Sequence, residues 1–240
     1  MINYKQTLIF IVSFFVITIN SYAADTKALE AANNDSKDIK SLQQGARNFM
    51  NYCSGCHSAE YIRFEVIGAD LGLTESQLKQ FLMFNAEQTF ETINASMPQV
   101  DAAGWFGQAP PDLSLMARAK GTDYIFTFLK SFYLDDMSPT GVDNVVLAGT
   151  SMPNVLWELQ GHQSYKDDGH GSAHLEIIIP GKMSQKDFDS FLRDTVNFLE
   201  YISEPIKNKR QALGIKVLLF LAFFLVLAYL LKKEIWKDVK

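Results

Sequence analysis

Cysteine and histidine are scarce in this chain, which has two cysteines and four histidines among 240 residues. A zinc site on the cysteines would need two further ligands, and the chain holds no other thiol.

Basic side chains are also few over residues 24–206, where 25 acidic and 13 basic groups give a net charge of −12. This balance disfavours nucleic acid as a partner and suits a basic soluble protein. No catalytic triad is evident, so we predict no catalytic residues.

Both cysteines lie in one short motif, Cys53-Ser54-Gly55-Cys56-His57. C-x-x-C-H is the attachment pattern of c-type haem, in which each sulfur bonds a vinyl group and the histidine ligates the iron. A zinc site or a redox dithiol is the alternative. His170 and His174 have a metal-ligand spacing but lie far along the chain, and no βαβ alternation surrounds the motif. The motif therefore predicts one covalently attached haem c per chain.

The N-terminus has the pattern of a secretory signal. Lys5 provides the positive region, residues 8–19 are mostly apolar, and Ser21 and Ala23 are the small residues of an A-x-A-like cleavage site. We predict that residues 1–23 are a cleaved signal peptide, because the apolar run is shorter than the roughly 18 residues of a spanning helix. The alternative is an uncleaved N-terminal anchor.

A second apolar segment, residues 212–231, has the length of about 20 residues that a transmembrane helix needs. Its one charged residue, Lys216, lies one turn inside, where a lysine can reach the interface. We predict an exported domain over residues 24–206 and, over residues 207–240, a C-terminal anchor with a short cytoplasmic tail. The predicted location is the bacterial-type inner membrane, with the haem domain on the periplasmic side.

Apolar periodicity predicts a mainly α-helical cytochrome domain followed by the transmembrane helix. One helix runs into the haem motif, and a long one with a clear apolar stripe follows Ser184 and ends before Pro205. Thr122 and Asp123 predict the cap of a helix that runs from Tyr124 to about residue 132. Residues 24–38 are expected to be a flexible or irregular leader, and residues 175–179 a short strand.

The sixth ligand of the iron is left open between two methionines. Met97 and Met152 each precede a proline, which fixes an extended loop suited to presenting a thioether to a flat ring. Spacing alone does not separate them, although Met152 has the advantage of lying closer to the final helix.

Several blocks of the chain resemble the cytochrome c1 family, the haem subunit of the quinol–cytochrome c reductase (cytochrome bc) complex. The blocks occur in the family's order and cover nearly all of the mature chain: Ala109-Pro110-Pro111-Asp112-Leu113-Ser114, Ala117-Arg118-Ala119, Asp123-Tyr124-Ile125-Phe126, Pro139-Thr140-Gly141, residues 152–159, Met183-Ser184-Gln185 and Glu204-Pro205. The region from Arg63 to Trp105 is compact and lacks the longer insertions of some members.

The resemblance implies a role for each matching residue. Cys53 and Cys56 would form the thioethers, His57 would be the proximal ligand, and Met152 the distal ligand in preference to Met97. Arg118 would pair with a haem propionate. Pro110 and Pro111 would line the ring, and Tyr124 would pack near it.

The implied function is one-electron transfer from a Rieske iron–sulfur protein to a soluble or tethered cytochrome c, beside cytochrome b in the membrane. The chain is then a subunit of an oxidoreductase complex. Acidic residues are expected to steer the cytochrome: Asp135, Asp136, Asp167 and Asp168. The alternatives are a membrane-tethered free electron carrier and a haem sensor with an open sixth site.

Overall fold

The computed structural model describes residues 29–167 and 173–237. The predicted signal peptide lies outside the described residues, as do His170 and Asp168. The helices are α1 (Ile39–Tyr52), α2 (Phe64–Leu71), α3 (Glu75–Phe81), α4 (Gln99–Phe106), α5 (Met116–Lys120), α6 (Thr122–Lys130), α7 (Trp157–Gln160), α8 (Gln185–Ser203) and α9 (Lys207–Ile235). The strands are β1 (Ala59–Arg63), β2 (Thr92–Ile93), β3 (Phe132–Leu134), β4 (Val142–Asn144), β5 (Gly161–Asp167) and β6 (Ala173–Pro180).

The centre of the core is the crossing of α1 and α8. Their apolar stripes meet there, with the rings of Phe49 and Phe198 5.7 Å apart and both fully buried. The close approach depends on Gly45, because a Cβ there would lie 2.0 Å from the carbonyl oxygen of Asp194. The crossing holds the end of α1, and with it the haem motif, against α8.

The predicted helices are present, with one correction at α6. Helix α8 follows Ser184 as expected, and Ser184 caps it, since its side chain accepts a hydrogen bond from the Asp187 N–H. The expected cap of α6 at Thr122 and Asp123 is wrong, because the helix already includes both residues and begins after Gly121. The Asp123 carboxylate instead accepts a hydrogen bond from the Ala32 N–H at 2.8 Å.

Residues 29–38, the described part of the leader, are irregular, as expected, but they are fixed to the helices. Ala32 is completely buried, and its carbonyl accepts a hydrogen bond from Arg193 at 2.9 Å. Asn34 donates to Glu200 at 2.6 Å. The sequence predicted that this segment is not helical, but it did not predict these contacts. Their partners lie more than 150 residues away, so no local sequence pattern indicates them.

The strands of the described ranges form three antiparallel pairs. The predicted strand at residues 175–179 is β6, which pairs with β5 from Ala173 opposite Asp167 to Pro180 opposite Gly161. The other two pairs are short and were not predicted. The fold is therefore mainly α, with small hairpins between the helices.

Helix α9 differs from every helix of the domain because it buries none of its residues. It is long enough to cross a membrane, and an 18-residue stretch within it has a mean hydropathy of 2.5. Apolar side chains exposed all round a helix need a lipid environment. The predicted segment, residues 212–231, lies within it.

Candidate haem site

A cavity of about 300 Å³ opens beside the end of α1. Its walls come mainly from the end of α1 with the haem motif, the Pro110–Met116 segment, α6 and α8. The loop at Thr150–Leu156 closes it. Most of the lining side chains are apolar, which limits the water that can enter.

The predicted thioether cysteines both line this cavity. Helix α1 ends at Tyr52, and the chain then turns, with the His57 N–H bonded to the Cys53 carbonyl at 2.8 Å. Both thiols are free and partly buried. Burial, with a smaller contribution from Cys56, raises the pKa of Cys53 to about 12. A reactive dithiol needs a lowered thiol pKa, so the redox-dithiol alternative is disfavoured.

His57 is oriented by the Pro111 carbonyl oxygen, 2.7 Å from Nδ1. A carbonyl oxygen only accepts, so Nδ1 carries the proton and Nε2 keeps its lone pair for a metal. Burial lowers the pKa of His57, and the Pro111 contact and the charge of Asp112 oppose this only in part. The imidazole is therefore neutral at pH 7, as ligation requires.

The Pro-Pro-Asp-Leu-Ser block clamps the residues that follow the haem motif. Asp112 accepts hydrogen bonds from the Ser58 hydroxyl at 2.7 Å and from the Glu60 N–H at 2.9 Å. The Leu113 N–H donates to the Ser58 carbonyl at 2.8 Å. Burial would raise the pKa of Asp112, but hydrogen bonds from Ser114, Ser58 and Glu60 together lower it.

The methionine candidates are separated by their positions. Met152 lines the cavity, whereas Met97 does not. The Met97 N–H instead bonds the Gly55 carbonyl at 3.0 Å, which ties its loop to the outside of the haem motif. Met116 of α5 is a second methionine on the wall.

Three of the four remaining predicted site residues lie on the cavity wall. Pro110, Pro111 and Tyr124 line the cavity, and Arg118 does not. Arg118 is exposed. The hydrogen bond from Arg210 is the main cause that lowers the pKa of Glu204, and the positive charge of Arg118 lowers it further.

The basic side chain on the cavity wall is Lys120, which sequence reasoning missed. Its Nζ lies 5.6 Å from the centre of the Tyr124 ring. The sequence signal that could have indicated Lys120 was its position two residues after Arg118 in the same short helix. Two such neighbours face different directions on a helix.

A haem fits the donors on these walls better than the alternatives do. Paired free thiols, an imidazole with Nε2 available and a thioether surround one apolar cavity. Within residues 29–167 and 173–237, no group of three or more His, Cys, Asp or Glu side chains could hold a metal ion. A zinc site therefore has no support in this part of the chain.

A C-x-x-C-H motif at the end of α1, which packs against the long helix α8, defines the class of c-type cytochromes. The model of the "Cytochrome C1 family" matches residues 30–239. This chain belongs to the cytochrome c1 family. It is therefore an electron-transfer protein of the bc1 complex with a c-type haem, and α9 fits a membrane anchor.

Three relatives illustrate the family. Cytochrome c1 of Allochromatium vinosum is 45% identical over 88% of this chain and 89% of its own length. The "Ammonia monooxygenase gamma subunit" of Nitrosomonas europaea is 41% identical over 88% of each chain. "Cytochrome b/c1" of Bradyrhizobium diazoefficiens is 26% identical over 84% of this chain and 34% of its own length.

Proposed function

We propose that this chain carries one haem c, bound covalently through Cys53 and Cys56, and relays single electrons from a Rieske iron–sulfur protein to a cytochrome c. His57 and Met152 would be the iron ligands. The observation that carries the proposal is that these four side chains line one apolar cavity. When bound, haem supplies a one-electron redox couple at this position.

The residues of the site would keep that couple at a high potential. A His/Met ligand pair raises the haem potential relative to anionic ligands. Phe106, Phe128 and Leu156 line the cavity and exclude water, which disfavours the more highly charged oxidised state. Tyr124 and the two prolines would contact the ring edge, and Lys120 is better placed than Arg118 to meet a propionate.

A fixed position in the membrane supports a complex subunit over a free tethered carrier. Helix α8 ends at Ser203 and α9 begins at Lys207, which leaves no long linker. Ion pairs of Lys207 with Glu200 and of Arg210 with Glu204 join the two helices across this junction. The name "cytochrome b/c1" of one relative agrees with cytochrome b as the membrane partner.

The topology proposal follows from the two apolar segments. Residues 1–23 would direct export and be removed, so the haem domain would face the periplasm. The C-terminus after α9 would stay in the cytoplasm, where Lys232 and Lys233 follow the apolar run. A protease added to intact spheroplasts should then digest the domain and spare a tag at the C-terminus.

Steering of the cytochrome would use the acidic surface. Asp136 is exposed in the turn between β3 and β4, and Asp135 beside it accepts a hydrogen bond from the Met137 N–H. Asp167 lies at the end of β5, and Asp168 follows it in sequence. The rate of electron transfer to a basic cytochrome c should fall as salt rises, because ions screen exposed charges. A rate that does not change with salt would contradict steering.

Purification from the membrane fraction tests the function. We expect a mature chain that starts after Ala23, one haem that survives denaturation, and co-purification with cytochrome b. Isolation without cytochrome b would favour the tethered carrier. Ready binding of carbon monoxide to the reduced protein would favour the haem sensor, since a bound thioether blocks that position.

A further inference from the structure

Two polar side chains lie on the cavity wall and have no part in attachment or iron ligation. Asn48 of α1 is 9% exposed and Thr195 of α8 is 2% exposed. Their neighbours on the α8 side of the wall are Phe191 and Leu199. Asn48 and Thr195 are therefore polar side chains beside apolar neighbours on this side of the wall.

Hydrogen bonds fix the orientation of the Asn48 amide. Its Nδ2 donates to the Phe191 carbonyl at 3.2 Å and to the Thr195 hydroxyl oxygen at 3.1 Å. The Thr195 hydroxyl gives its own proton to the same carbonyl at 2.8 Å. Both partners can then only accept from Asn48, so the amide cannot turn over without losing both bonds.

This arrangement leaves one polar atom of the pair unused. Both amide protons of Asn48 are engaged, and no donor in the described ranges bonds its Oδ1. Oδ1 keeps some exposure on the cavity wall, and a group that filled the cavity would bury this acceptor without a donor unless it supplied one, which is unfavourable. A leucine would fill similar space without this cost, so close packing of α1 and α8 does not require an amide here.

We propose that Asn48, oriented by Thr195, presents Oδ1 to the haem and lowers its reduction potential. This inference rests on the proposed function, because it needs haem in this cavity. Ferric haem carries one more positive charge than ferrous haem. The negative end of the amide dipole stabilises the ferric form, and the effect is strong because the wall has a low dielectric constant. Asn48 therefore tunes the potential, and Thr195 is its positioning residue.

The test compares midpoint potentials of the purified, haem-containing protein and three variants. Asn48→Leu should favour the ferrous form by about threefold to tenfold, where tenfold corresponds to about 59 mV for one electron. Thr195→Val should shift the potential the same way by less, since the amide keeps its bond to Phe191. Asn51→Leu is the matched control, because Asn51 is exposed on the same helix and donates to the Arg47 carbonyl. It should leave the potential unchanged.

The outcomes separate this inference from the proposed function. A wild-type protein without covalent haem would defeat the proposed function itself. Haem present with an unchanged or lower potential in Asn48→Leu would overturn the inference alone, even if thermal unfolding shifts. If Asn48→Leu fails to retain haem, Thr195→Val decides: a raised potential supports the inference, and an unchanged or lowered one overturns it.

Discussion

The two sides of the haem cavity are held in place by different forces. On the proximal side, the segment from Pro111 to Ser114 makes hydrogen bonds to four residues between the haem motif and β1: His57, Ser58, Glu60 and Tyr61. On the distal side, the loop from Thr150 to Leu156 bonds mainly within itself. The Met152 N–H bonds the Thr150 hydroxyl at 3.4 Å, and the Leu156 N–H bonds the Asn154 side chain at 3.1 Å.

If haem is bound as proposed, the side that attaches it is fixed by hydrogen bonds, and the side that supplies Met152 is held less rigidly. Within the described ranges, no hydrogen bond joins residues 150–155 to another segment, and Met152 and Val155 are held by packing against the core. Apolar packing is non-directional, so this loop has more freedom than the Pro111–Ser114 segment, which is held by hydrogen bonds. We infer that the distal side opens first when the domain is perturbed.

The largest effect is expected from Met152→Leu, which keeps the packing of the distal loop and removes the thioether. The potential should fall by on the order of 0.1 V, within the roughly 0.8 V range that axial ligands control. The reduced protein should then bind carbon monoxide. Redox titration and the optical spectrum measure both.

Met97→Leu is the control for this change, because Met97 also precedes a proline but lies outside the cavity. Its potential should equal that of the wild type. Carbon monoxide binding in Met97→Leu but not in Met152→Leu would reverse the ligand assignment.

The next largest effect is on stability, and it compares the two sides directly. Asp112→Ala leaves three hydrogen-bond donors unpaired and should lower the free energy of unfolding by about 2–4 kcal/mol. Asn154→Ala removes one local acceptor and should cost about 1 kcal/mol. Chemical denaturation of both haem-containing variants gives the comparison. Equal losses would mean that the two sides do not differ as inferred.

The stabilisation by Asp112 should also depend on pH. Its pKa is lower in the folded protein than in the unfolded chain. The stabilisation is therefore complete above the unfolded pKa, which is about 3.9, and disappears as pH falls through the lower folded value. The difference in unfolding free energy between wild type and Asp112→Asn should be constant near pH 7 and shrink below about pH 4. A difference that persists unchanged in acid would contradict this role.

The sequence predicted the parts of this molecule that depend on local pattern. The haem motif, the apolar stripe of α8 and the α9 segment each lie within one continuous stretch, so periodicity and spacing located them. The resemblance supplied Met152, and the structure places it on the cavity wall.

The remaining features depend on contacts between distant segments. The Pro-Pro-Asp-Leu-Ser block was recognisable, but its clamp on Ser58 required the fold. The hydrogen bond from Arg193 to the Ala32 carbonyl also joins distant segments. The same holds for the bonds that orient the Asn48 amide. The direction of a side chain on a five-residue helix is also poorly specified, so the role that the resemblance implied for Arg118 gave no sign that Lys120 lies on the cavity wall.

The smallest effect concerns that helix, which lies at the cavity mouth between the two sides. Lys120→Met should lower the haem potential slightly, because a nearby positive charge disfavours the ferric form. The shift should correspond to no more than about a threefold change in the ferrous–ferric equilibrium at low salt. It should decrease at high salt, since Lys120 is exposed and the screening length is about 10 Å at 0.1 M ionic strength.

Arg118→Met provides the matched comparison on the same helix. Arg118 lies outside the cavity and contributes to the environment of Glu204, so this variant should shift the potential less than Lys120→Met does. Parallel redox titrations at low and high salt measure the difference. A larger shift in Arg118→Met would restore the propionate role that the family resemblance implied for Arg118, and would show that the mouth of the cavity is arranged differently once haem is bound.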